Sequence, residues 1–127
     1  MAGAAILAVY VNASFNLSVP QNFSVTNTAP SDAGQYSGSY VSLYWDHIPE
    51  ESYIPGIFYN LQIFNNTGVL LRDVDISNTN VYDYTLNFIK EDYLAQTGTL
   101  GIYREFSFKL KARGPNGEES VAWASIN

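Results

Sequence analysis

The chain has 127 residues, enough for one domain with a single core and too few for two. Nearly half of them are apolar and 15% aromatic, which excludes a disordered chain, and the absence of Cys excludes disulfides, thiolate chemistry and Cys-type zinc sites. Twelve acidic side chains against six basic ones give a net charge of −6. No basic cluster exists to meet a phosphate backbone or an anionic membrane, so neither nucleic acid binding nor membrane insertion is expected.

Residues 1–31 carry no Asp, Glu, Lys, Arg or His. Within them Leu7, Val9, Val11, Ala13, Phe15, Leu17 and Val19 alternate along one side of an extended chain. A secretory signal fits loosely, since Met1-Ala2-Gly3 lacks the positive charge such a segment starts with. A membrane-spanning helix needs about 20 apolar residues, and Asn12 interrupts the run near half that length. Two readings remain: an edge strand of the domain's own sheet, or an arm that pairs with a neighbouring subunit. An uncharged strand of high β-propensity has to be covered, and this run exceeds the ~5–6 residues of an ordinary strand. The sequence therefore predicts an extended arm over residues 1–18 that docks on a partner through Leu7, Val9, Val11 and Phe15.

Next comes a short strand over 19–26, with Pro20 at its start, and a long polar loop over 27–39. Tyr40–Trp45 alternates and places Val41, Leu43 and Trp45 on one face. Residues 46–56 hold two prolines and two adjacent glutamates, which reads as an exposed loop. Ile57–Phe64 is a strand with Tyr59, Leu61 and Ile63 on one side; Asn65-Asn-Thr-Gly68 turns it, and Val69–Val74 returns. In the strand near Val81–Leu86, Tyr82, Tyr84 and Leu86 form the apolar face. Phe88–Gln96 contains helix formers and reads as one or two helical turns.

Phe106, Phe108, Leu110 and Ala112 then share one face of a strand, with Glu105, Ser107, Lys109 and Lys111 on the other. Gly114-Pro-Asn-Gly117 ends it, and Val121–Ile126 returns as the second half of a hairpin. The fold class is all-β.

This succession resembles a fibronectin type III domain. Pro20 and Phe23-Ser-Val25, Leu43-Tyr-Trp45, Tyr59-Asn-Leu61-Gln-Ile63, the alternating run Phe106–Ala112, Gly117 and Ser120 carry the likeness, over residues 19–127. The resemblance implies an immunoglobulin-like β-sandwich whose core lies around Trp45 and the 106–112 strand. Three features depart from it. Phe106 replaces the tyrosine of a tyrosine corner. An insertion near 87–101 stands where a leucine–proline segment is expected, and the arm lies outside the fold. With no Arg-Gly-Asp sequence, integrin binding is not implied.

Residues with chemical potential are few. His47 is the only histidine, and it reads as a solvated loop residue. Asp73-Val-Asp75 puts two carboxylates on one face, a charged outer surface lacking the oxygen set of a calcium site. No nucleophile elbow or phosphate loop occurs. Asn12, Asn16, Asn22 and Asn65 begin Asn-x-Ser/Thr sequons of the kind that arise by chance in so polar a β-protein. Catalytic, cofactor and metal sites are not expected.

Taken as a small protein complete from Met1, with one such module and an uncharged arm, the chain is expected to be a non-enzymatic structural or decorating subunit. The expected setting is a larger particle such as a phage tail or collar, and homo-oligomers are expected to form through the arm. The alternative is an extracellular or cell-surface module binding carbohydrate or a receptor, with the 46–56 and 113–119 loops as the contact surface and Tyr53 as the contact aromatic.

Overall fold

A computed structural model describes residues 16–26, 40–48 and 56–127. Nine strands and one helix occur among them: β1 (Asn16–Leu17), β2 (Ser24–Val25), β3 (Tyr40–Tyr44), β4 (Phe58–Asn65), β5 (Leu70–Ser77), β6 (Val81–Thr85), α1 (Leu86–Thr97), β7 (Phe106–Arg113), β8 (Glu119–Ser120) and β9 (Ala124–Ile126). One sheet runs β1-β8-β7-β4-β5, with β9 also paired to β7; the other runs β2-β3-β6. All the described pairings are antiparallel except that of β1 with β8.

The two sheets close over one core, as the period-two patterns require. Val41 and Leu43 of β3 and the following Trp45 meet Tyr59, Leu61 and Ile63 of β4 and Phe106, Phe108, Leu110 and Ala112 of β7, all of them buried. Trp45 takes the edge of the Tyr59 ring at 5.3 Å and of the Phe23 ring at 6.2 Å. Truncating any large member of this set to Ala would cost about 2–5 kcal/mol. The described residues thus form a fibronectin type III-like β-sandwich.

Turn chemistry fixes the register of the central strands. Asn65 turns its Oδ1 inward to accept from the Thr67 backbone N–H (2.9 Å), the Thr67 hydroxyl (2.8 Å) and the Val69 N–H (3.0 Å). Gly68 follows at φ 85°, a conformation that Cβ-bearing residues resist. The hairpin from β7 uses Gly117 at φ 90°, and Gly114 N–H donates to Glu118 O. Residue for residue, Phe108 faces Ile126 and Leu110 faces Ala124 across the returning strand.

The helix differs from its expected extent. It spans three turns instead of one or two, because both ends are capped. The Thr85 hydroxyl accepts from Phe88 N–H, and Gly98, left-handed at φ 76°, donates its N–H to Leu94 O. Only Ile89 and Asp92 of α1 are buried, so no apolar stripe announces it.

Candidate functional site

None of the five side chains expected to form a partner interface, Leu7, Val9, Val11, Phe15 and Tyr53, lies among the described residues. The end of the stretch read as an arm is described. Asn16 and Leu17 pair in parallel with Glu119 and Ser120. Leu17, at 2% exposure, belongs to the core, so the sandwich takes in the last residues of the stretch read as arm. Ser120 fixes this junction by accepting from Ala112 N–H (3.1 Å) and donating to Ala122 O (3.1 Å). Glu119 holds Lys111 at 3.3 Å and Arg113 at 3.1 Å.

Arg72 is isolated from other basic residues in sequence and yet anchors the helix. Its guanidinium donates from Nε and from one terminal nitrogen to the two oxygens of Asp92 (3.0 and 2.8 Å), and it reaches Glu91 at 3.3 Å. The same group lies 4.2 Å from the centroid of Phe88, whose ring stacks on Tyr82. Tyr84, fully buried, donates its hydroxyl to Asp92 at 2.6 Å. The hydrogen bond to Asp92 raises the Arg72 pKa further above its ordinary value. Burial raises Tyr84 well above the ordinary tyrosine range, with the hydrogen bond to Asp92 adding to it, and burial raises Tyr82 as well. This cluster joins β5, β6 and α1, elements of both sheets, and acts as a clamp.

Other polar residues noted in the sequence are held in structural contacts. His47 is exposed and sets Nδ1 3.2 Å from the Tyr59 hydroxyl, while Asp46 accepts from Asn22 Nδ2 at 2.7 Å. The Asn60 amide donates to both Asp73 and Asp75, and Gln62 donates to Asp73. Among the described residues, no three His, Cys, Asp or Glu side chains gather as a metal ion would need. Asn65 is buried, which makes it a poor acceptor for a glycan.

Two surface features had no sequence signal. Leu100, 89% exposed, stands beside a cleft of about 300 Å³ lined with Lys90, Gly101 and Ile102. At the other feature, a cleft of about 440 Å³ lies between the β4–β5 turn, the start of β7 and Asn127. Both depend on how distant segments meet, which residue spacing does not encode.

Strand order and core define the class, a fibronectin type III-like β-sandwich. No family model matches the chain. It is 46% identical over 121 residues to the "Baseplate hub protein pb3" of Escherichia phage T5. That alignment covers 94% of this chain and 13% of the phage protein, so the chain spans a small part of its relative's length. Among solved structures, it is similar to the fibronectin type III domain of human fibronectin type III domain containing protein 3. There the identity is 18% and the TM-score 0.49, over 90% of this chain and 87% of the other.

Proposed function

We propose that the chain is a non-enzymatic structural module of a phage virion, placed in the tail tip or baseplate and joined to neighbouring subunits through its N-terminal segment. The carrying observation is the 46% identity, over nearly the whole of this chain, to a baseplate hub protein. The way the sandwich uses its polar groups also favours this reading. Asp46, Asp73 and Asp75 hold loops and strands together, and Arg72, Tyr84 and Asp92 secure the helix.

On this reading Leu7, Val9, Val11 and Phe15 bury against a neighbour while the backbone around them adds a strand to its sheet. Light scattering on the purified full chain and on L7D/V9D tests it. The native chain is expected to run as an oligomer, and the variant as a monomer with unchanged β-type circular dichroism. A monomeric native chain, or a variant that assembles as before, would overturn self-assembly through the arm. Mass spectrometry of purified particles tests the virion setting.

A further inference from the structure

The sheet edges are unequally protected. An edge strand offers unpaired backbone groups to any passing chain, and proteins blunt that hazard with charges, Pro or very short strands. The edge strand β5 carries Arg72, Asp73 and Asp75, and β2 has only two residues. At the opposite side of the larger sheet, β1 covers β8 alone; β9 pairs with β7 on its inner side and with no strand on its outer side among the described residues. Residues 121–127, Val-Ala-Trp-Ala-Ser-Ile-Asn, contain no charge and no Pro. Ala124 and Ile126 turn to the core and are half-buried, and the 440 Å³ cleft opens where the strand ends, beside Ser107 and Asn127.

We infer that the outer edge of β9 is a strand-acceptor site whose occupant is the N-terminal segment of a second copy of this chain. The inference rests on the arm reading given above and names the surface that receives the arm. Two observations select the occupant. The adjoining part of the same edge already accepts residues 16–17, in parallel register, so this edge suits the N-terminal chain. Moreover, β1 runs from Glu119 toward Ser120, so its chain enters the edge at the end remote from β9. A molecule's own leading residues would have to reverse direction to reach its own β9, whereas a neighbour's would not. Two adjacent members of the alternating set Leu7, Val9 and Val11 suffice for a three-residue edge with two core-facing positions, Ala124 and Ile126. Such a contact is heterologous and closes into a ring when the rotation permits.

The chain has no native cysteine, which makes disulfide trapping specific. Full-length chains bearing Ser125→Cys, exposed on the face away from the core, are mixed with full-length chains bearing one cysteine at Ala8 or Tyr10, the arm positions that would share that face, under mild oxidation. Ser77→Cys on the opposite edge serves as control. At least one arm position is expected to cross-link to Ser125→Cys roughly tenfold faster than to the control, as proximity in an assembly requires. Equal rates at both edges would overturn the site. Amide exchange of the unsubstituted chain gives a second reading: residues 124–127 are expected to gain protection as concentration drives assembly, and unprotected amides in the oligomer would also overturn it. An oligomer that L7D/V9D dissociates, but in which β9 stays unprotected, sinks this site and spares the arm reading. A monomeric native chain sinks both.

Discussion

At the level of single residues, the molecule concentrates its electrostatics in one place. Asp92 is buried and accepts from both Arg72 and Tyr84, so a carboxylate that would be costly alone is neutralised and fully hydrogen-bonded. The hydroxyl that a tyrosine corner would supply from the position of Phe106 is absent. Tyr84, whose ring packs on Phe106 at 5.3 Å, instead brings a buried hydroxyl to the helix. Its raised pKa sets a direction for pH dependence. A group whose folded pKa lies above its unfolded value near 10 adds stability that is complete below about pH 10. That contribution is lost as pH climbs toward the folded value, because the unfolded chain ionises first. Tyr84→Phe is therefore expected to cost about 1–3 kcal/mol at neutral pH, the worth of a hydrogen bond to a charged group. It should also flatten the decline above pH 10. Urea midpoints for both proteins at pH 8, 10 and 11 check this; parallel curves would show that another group governs the alkaline limit. Nothing in the sequence announced the clamp, because Arg72 and Asp92 are 20 positions apart on different elements. Periodicity reports faces, not partners.

At the level of elements, strands were far more legible than the helix. Val41, Leu43 and Trp45, the Tyr59–Ile63 set and the Phe106–Ala112 set all face the core as their alternation predicts. Helix α1 hides half its anchorage in a carboxylate, so pattern reading shortens it. Its limits were nonetheless written in Thr85 and Gly98 as start and stop signals. After it, the chain runs tightly to β7. Gly101 lies under the ring of Tyr93, where a Cβ would sit 2.5 Å from Cε1, and Tyr93 packs on Tyr103 at 4.8 Å. Two glycines in this stretch thus serve different physical ends. Gly98→Ala meets no atom and pays only in backbone conformation, so a loss of about 1 kcal/mol with unchanged near-ultraviolet circular dichroism is expected. Gly101→Ala must displace an aromatic ring, so it should alter the tyrosine circular dichroism and shift the set of Leu100. If the two variants behave alike in both measurements, the close approach at Gly101 is not what orders the turn.

At the level of the whole molecule, two candidate surfaces make opposite demands on salt. The outer face of the larger sheet is graded in charge. The register sets Lys111, Asn60 and Asp75 in one row, and Lys109, Gln62 and Asp73 in the next, with amides between a basic and an acidic stripe. Two such faces would attract when basic stripe meets acidic stripe, and salt would weaken that contact. The uncharged residues 1–15 and the uncharged β9 edge have no such attraction to lose. Copies carrying −6 each repel at long range, and raising salt from about 0.01 M to 1 M shrinks the screening length from about 30 Å to 3 Å. Assembly through arm and edge is therefore expected to hold or strengthen across that range, and assembly through the charged face to dissociate. Sedimentation of the native chain over the same salt series decides between them. Dissociation with rising salt would move the interface from the arm to the lysine–aspartate face, and K109E together with D73K would then be the pair to restore it.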